Sequence, residues 1–213
     1  MKKILLIVVF LAPCMAIVSL AGGEEFVGGA FEGRVVAEWS EDPFFPTMRL
    51  KEELLFRQTA GDTWVVPADA IVDGRSMPKL FVSLIGDPFK SGFLKSAVTY
   101  DYAVKAKARR WKDAQRMFVE GSVVEGVHAI DAKVMYMLLQ ATGSRWAVRW
   151  MSGCYGRCHA ADSELEWRPR VDDEKVIALV TWVRQEAPSL EAIERRVGEV
   201  ILEAGPHIFG PEK

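Results

Sequence analysis

Between Val65 and Asp113, polar side chains gather in otherwise apolar surroundings. Asp73 and Ser76 lie in the turn Pro67-Ala68-Asp69-Ala70-Ile71-Val72-Asp73-Gly74-Arg75-Ser76-Met77-Pro78. Tyr100-Asp101-Tyr102 falls within a helical stretch, and Asp113 opens another. If those helices fold back onto the turn, Asp73, Asp101 and Asp113 converge with Ser76 beside them. Carboxylates with a hydroxyl form an all-oxygen donor set, which suits magnesium, manganese or calcium. A divalent metal held there would activate water for hydrolysis. Tyr100 is the member that fits least. Its phenol, with an ordinary pKa of about 10, stays protonated near neutral pH and is a poor base or ligand. Each residue also has a purely structural role open to it. Asp73 can close an Asx-type turn onto Gly74, and Ser76 can cap the next helix. Asp101 can pair with Lys105 one turn on, and Asp113 can be a solvated first-turn acid. The residue types favour structure or binding over catalysis.

A second constellation is Cys154-Tyr155-Gly156-Arg157-Cys158-His159. In an oxidising compartment, Cys154 and Cys158 are expected to form a disulfide. The sharper alternative is haem, with the two thiols attached and His159 as axial ligand. The spacing is one residue longer than the usual Cys-x-x-Cys-His. A zinc site built from the same three side chains lacks an obvious fourth ligand.

The elements that must position these residues follow from periodicity. Phe31, Gly33, Val35, Ala37 and Trp39 alternate with mostly polar neighbours, as in a half-buried strand. Met48, Leu50, Leu54 and Phe56 occupy even positions opposite Arg49, Lys51, Glu53 and Arg57, a second strand period. Ala60-Gly61-Asp62 turns into a third strand, Thr63 to Val66. Helical spacing then takes over, at Lys79 to Ile85, Phe93 to Ala108, from Trp111, and from Ile130 to a stop at Gly143. Glu166 to Arg170 reads as a polar linker. Asp172-Asp173-Glu174 opens one helix and Pro188-Ser189 a second, each with a narrow apolar stripe suited to a hairpin packed on the main domain.

The chain has 213 residues, 50% hydrophobic and 26% charged, which suits an ordinary globular protein. A formal net charge of −2 with no basic run gives no general grip on nucleic acid. Met1-Lys2-Lys3, the apolar run Ile4 to Leu20 and the small residues Ser19 and Ala21 read as an export signal cut before Gly22. An uncleaved anchor through residues 4–20 is the alternative. Pro13 before Cys14 argues against a lipoprotein signal.

Residues within this span carry a family resemblance. Pro67, Asp73, Ser76 and Pro78, then Asp101, Asp113 and Tyr136, fall in register with a strand followed by Pro-x-Gly-Phe-x-Thr-Asp-x-x-Ser-x-Pro, a helical His-Asp pair, Ala-Asp-x-x-Phe and a Tyr-containing helix. The pattern resembles the phage- and bacteria-associated domain of unknown function number thirteen fifty-three, over roughly residues 53–150. Asp69, Ala70 and Tyr100 depart from it, standing where the family has glycine, phenylalanine and histidine. The resemblance implies a fold and a shared polar set, and names no activity.

The expected architecture is α+β: a small antiparallel sheet followed by a helical layer, with a C-terminal helical hairpin. Its divisions are an export signal (1–21), a flexible tether (22–30), an α+β domain (31–150), a Cys-containing loop and linker (151–170) and the hairpin (171–205). The expected function is a noncatalytic binding or structural module of the cell envelope, whose partners are envelope components or another envelope protein. A metal-dependent hydrolase of envelope material using Asp73, Asp101 and Asp113 is the alternative, and a c-type haem protein a minor one.

Overall fold

Two chain stretches near the N-terminus run antiparallel and bend together. β1 (Ala30–Glu32) pairs with β4 (Leu54–Arg57), and β2 (Ala37–Trp39) pairs with β3 (Met48–Leu50). The structure, a computed structural model, describes residues 29–40, 47–150 and 159–201, without the side chains of 147–150 and 159–165. The single strand expected over 31–39 is therefore two. Gly33 breaks it with φ 91°, and a Cβ there would lie 2.7 Å from the Glu53 carbonyl oxygen. Only glycine meets both demands without strain. β1 also takes in Ala30, inside the span read as a tether. The expected alternation holds across the corner: Met48, Leu50, Leu54 and Phe56 are buried, and Arg49, Lys51, Glu53 and Arg57 are exposed.

β5 (Thr63–Val66) completes a sheet of order β1-β4-β5, and β6 (Ile71–Val72) completes another of order β2-β3-β6. All of these pairings are antiparallel. The helical layer is α1 (Lys79–Ile85), α2 (Leu94–Ala106), α3 (Trp111–Val124) and α4 (Ala129–Thr142). α2 has no side-chain cap of its own at Phe93. Glu125, just past the end of α3, supplies one. Its carboxylate accepts from the Lys95 and Ser96 backbone N–H groups, both at 2.8 Å, and from the Ser96 hydroxyl at 2.6 Å. Those amides have no partner within their own helix, and the negative charge suits the positive end of the helix. α4 runs through the middle of the layer, and its residues from Ala132 to Ala141 are all buried.

The α+β architecture is as expected, with one correction. The stretch 151–170, read as loop and linker, contains a strand, β8 (His159–Trp167), which pairs antiparallel with β7 (Arg145–Trp150), with an irregularity between Trp146 and Ala147. The tryptophans and the β-branched Val148 on β7 suit a strand, but the polar composition of 159–167 concealed its partner.

α5 (Asp173–Glu186) and α6 (Leu190–Val200) form the hairpin read from their stripes. Val176, Leu179, Val183, Ile193 and Val197 enter the same apolar core as Phe118 and Leu138. Polar ties hold it to the layer as well. Lys133, buried on α4, donates to the Ala187 carbonyl at 3.2 Å, at the left-handed end of α5. A cation there suits the negative end of a helix. Glu194 on α6 accepts from the Tyr136 hydroxyl at 2.5 Å and from Arg116 at 2.6 and 3.0 Å. No described helix is long and apolar enough to cross a membrane.

Candidate functional site

Asp101 sits mid-α2 with no exposed surface, and its carboxylate faces the turn between β6 and α1. One oxygen, Oδ2, accepts from the Asp73 backbone N–H at 3.0 Å. The other, Oδ1, accepts from the Ser76 backbone N–H at 3.2 Å. Lys105, one helical turn on, lies 3.0 Å from Asp101 Oδ2 and 3.0 Å from Asp73 Oδ1. Lys105 also donates to the Ile71 carbonyl at 3.3 Å. Asp73 in turn accepts from the Arg75 backbone N–H at 3.1 Å, closing an Asx turn onto Arg75 rather than Gly74. Gly74 has φ 69°, and the Phe89 ring lies 3.0 Å from where its Cβ would stand. The turn is thus bound to α2 by a buried carboxylate and one shared ammonium. Burial alone would raise the Asp73 carboxyl pKa, but the bonds from Lys105 and the Arg75 amide outweigh it, so the net shift is downward.

Ser76 does not cap α1. Pro78 occupies that position without a side-chain cap, while the Ser76 hydroxyl donates weakly to the Asp101 carbonyl at 3.5 Å.

Tyr100 points into the core. It has no exposed surface, and its ring packs on Phe118 with centroids 5.4 Å apart. Its hydroxyl has no hydrogen-bond partner among the described residues. Burial pushes the phenol pKa well above its ordinary value. Asp101 and Glu166 add to that rise, and Gln115 and Arg168 oppose it. A phenol so placed does not exchange protons near neutral pH.

Asp113 stands apart from this turn. It is partly exposed and pairs with Arg110 at 3.0 and 3.1 Å on the surface of α3. The expected triad of Asp73, Asp101 and Asp113 is therefore corrected to a pair sharing Lys105. Among the described residues no group of three or more His, Cys, Asp or Glu side chains is placed to hold a metal ion. The physical reason is that Asp113 opens α3 facing outward, while the core side of that turn is taken by Ala114 and Met117. Cys154 and Cys158, the expected disulfide and haem thiols, lie outside the described residues. His159 begins β8, and only its backbone pairing with Trp150 is described.

Sequence reasoning missed what lies beside the turn. Asp73, Ser76 and Lys105 border an open cleft of about 320 Å³, joined by Arg75, Lys107, Ser144, Glu166 and Arg168. Lys107 ends α2 in a left-handed conformation, φ 48°, and its ammonium pairs with Glu166. Arg168 donates to the Ser144 hydroxyl at 3.1 Å and to the Arg75 carbonyl at 3.4 Å. Burial would raise the Glu166 carboxyl pKa, yet hydrogen bonds from Lys107 and Ser144 hold it below the usual range. These residues come from distant segments, so no sequence spacing marks them. The cleft offers ammonium, guanidinium and hydroxyl donors. Among the described residues, the carboxylates at the cleft are engaged: Asp73 and Asp101 with Lys105, and Glu166 with Lys107.

The relatives found by comparison with known proteins are uncharacterised. The chain is 34% identical over 131 residues to the uncharacterized protein y4jT of Sinorhizobium fredii (strain NBRC 101917 / NGR234), covering 62% of this chain and 39% of that protein. It is 28% identical over 97 residues to the uncharacterized protein y4iH of the same organism, covering 46% of this chain and 41% of that protein. The chain thus spans about two-fifths of the length of these relatives. No solved structure gives a significant match. Residues 48–139, from β3 through most of α4 and including Asp73, Ser76, Asp101 and Asp113, match the family model described as "Protein of unknown function (DUF1353)", the domain that the motif resembles.

Proposed function

We propose that this protein is a noncatalytic binding or structural module of the cell envelope, exported under the signal read in residues 1–21. One observation carries the noncatalytic part: the Asp101 carboxylate and Lys105 together hold the turn 73–76 onto α2. Groups that a hydrolase would need free are bound to backbone amides and to each other. Tyr100, at the family's histidine position, is buried and offers no base. The polar motif works as a clasp that shapes the mouth of the cleft, and the cleft is the surface left for a ligand. The export reading rests on the N-terminal pattern of a basic start, an apolar run and small residues before Gly22.

The test compares the full chain with Asp101→Ala and Asp73→Ala. Removing Asp101 leaves two turn amides and Lys105 without their shared partner, which costs about 3 kcal/mol. Thermal unfolding should show that loss, and the purified wild-type chain should release no product from isolated cell-wall material. Hydrolysis that disappears in Asp73→Ala while the melting temperature stays put would sink the noncatalytic reading. Recovery of the chain from the cytoplasmic fraction alone would sink the envelope placement.

A further inference from the structure

We infer that Arg145 and Trp167 form a site for the carboxylate of a small aromatic or apolar acid, on the face of the β7–β8 ribbon turned away from the cleft. The site is separate from the cleft, and the inference goes beyond the binding-module reading without depending on it. The two residues are cross-strand partners at the end of the ribbon nearest α4. Partners in an antiparallel pair project to the same side, with Cβ atoms about 4.5–5.5 Å apart. Trp146 and Glu166, the next pair, project to the other side.

Each partner carries a buried donor that lacks an acceptor. Arg145 Nε and Trp167 Nε1 are enclosed and have no hydrogen-bond partner among the described residues. Buried polar groups in that state are rare in folded proteins. The chain satisfies the same groups elsewhere. The indole N–H groups of Trp64, Trp146 and Trp182 donate to Gln58, the Arg109 carbonyl and Glu186. Arg116, another half-buried arginine, is held by Glu191 and Glu194. Burial would lower the Arg116 pKa, but Glu194 and Tyr136 outweigh it and raise that pKa. Arg145 has no such acid. Its one hydrogen bond to the described residues, at 2.8 Å, goes to the Gln140 carbonyl in the last turn of α4. Burial alone acts on its basicity and lowers it. The partial negative charge at the end of α4 offsets a fraction of the cation.

The surroundings select the ligand class. A guanidinium without an acid favours an anion, and its planar fork matches a carboxylate. Trp111 fixes that plane: the Arg145 Cζ lies 4.5 Å from the centroid of its ring. Arg145, Trp111 and Trp167 are each half-buried, so the group reaches the surface while its orphaned atoms turn inward. Indoles from α3 and β8 give the site apolar walls. Such walls favour an acid with an aromatic or apolar body over phosphate, which is hydrated on every side. One carboxylate oxygen accepts from Arg145 Nε and the other from Trp167 Nε1. Both atoms are enclosed, so the Trp167 indole turns aside as the acid enters, and its N–H reports the arrival.

The experiment titrates the full chain with sodium benzoate at constant ionic strength. Benzamide, its neutral counterpart, and sodium phosphate are titrated in parallel. Amide, indole and guanidinium N–H chemical shifts are read. Benzoate should move the Trp167 indole and Arg145 Nε–H signals saturably, and benzamide should leave them in place. Arg145→Met keeps the stem and removes the charge, so it should weaken binding about tenfold or more. Arg145→Lys should recover part of that loss. Trp167→Phe keeps a ring and removes the donor, and should weaken binding about fivefold. Arg196→Gln, at an exposed pair with Glu199 on α6, should bind as wild type does, which controls for general charge loss. Absence of saturation by benzoate, equal saturation by benzamide, or unchanged affinity in both Arg145→Met and Trp167→Phe would overturn the site. Phosphate binding at least as tightly as benzoate would overturn the ligand class. The clasp at Asp101 is untouched by any of these variants, so the noncatalytic reading stands or falls separately.

Discussion

Tyr100 carries a hydroxyl into the core without a described partner, beneath the clasp it adjoins in sequence. A buried, unsatisfied hydroxyl costs on the order of 1–3 kcal/mol, whereas the ring itself is well packed on Phe118. Tyr100→Phe keeps the ring and removes the hydroxyl, so it should be neutral or stabilising by up to about 2 kcal/mol in denaturant unfolding. A clear destabilisation would mean that the hydroxyl has a partner it needs. The residue scale is also where sequence reading reached furthest and then stopped. Asp73, Ser76 and Asp101 were legible as a group because they fall within a turn and a helix that had to meet. The pairing of Asp101 with Lys105 followed from helical spacing. Lys107, Ser144, Glu166 and Arg168 were not legible. They have no common period, and the antiparallel return of β8 along β7 carries Glu166 and Arg168 back beside Ser144.

At the scale of elements, two helices are closed by groups distant in sequence, whereas α4 and α6 carry their own caps at His128 and Ser189. Glu125 closes the start of α2 across 30 positions of sequence, and Lys133 closes the end of α5 across 54. Caps normally sit within the first turn, which is why neither was visible in the sequence. Glu125→Ala should cost about 1–2 kcal/mol, read in thermal unfolding, since two helix amides lose a charged acceptor. Glu125→Gln should cost less, because one amide oxygen still accepts. Equal losses in the two variants would assign the effect to packing. The strands show the opposite balance. Met48, Leu50, Leu54 and Phe56 predicted the buried face correctly. The corner at Gly33 was hidden because glycine fits the alternating pattern as well as any small residue does.

Among the described residues the helical layer and the hairpin share one apolar core, while a second cluster of Met48, Leu50, Leu54, Val66, Val72 and Val98 lies under the strands. The C-terminal hairpin is held partly by charge as well. Burial alone would raise the Glu194 carboxyl pKa. Bonds from Tyr136 and Arg116 outweigh that burial and bring it below the usual range. A carboxyl with a lowered folded-state pKa stabilises the fold above its unfolded value, and that contribution is lost as pH falls through the folded value. The hairpin should therefore loosen on acidification below about pH 4.5, and melting temperature should fall more steeply there in wild type than in Glu194→Gln. Parallel pH curves for the two proteins would show that the tie contributes little. The hairpin itself was legible from narrow apolar stripes, since Val176, Leu179, Val183, Ile193 and Val197 keep helical spacing. Its charged tie was not, because Arg116 and Tyr136 belong to α3 and α4.

The corner at Gly33 has one more consequence. Ala37 faces Leu50 on one side of it, and five residues away on each strand Glu32 faces Leu55 on the other. The two small sheets therefore share a single reading frame, and no residue is gained or lost where the chain turns. One extra residue at 51–53 would invert the faces of β4, carrying Leu54 and Phe56 to solvent and Leu55 and Arg57 into the core. A one-residue insertion between β3 and β4 should therefore lower the melting temperature sharply. The corner acts as a ruler that fixes where the turn at Asp73 meets α2.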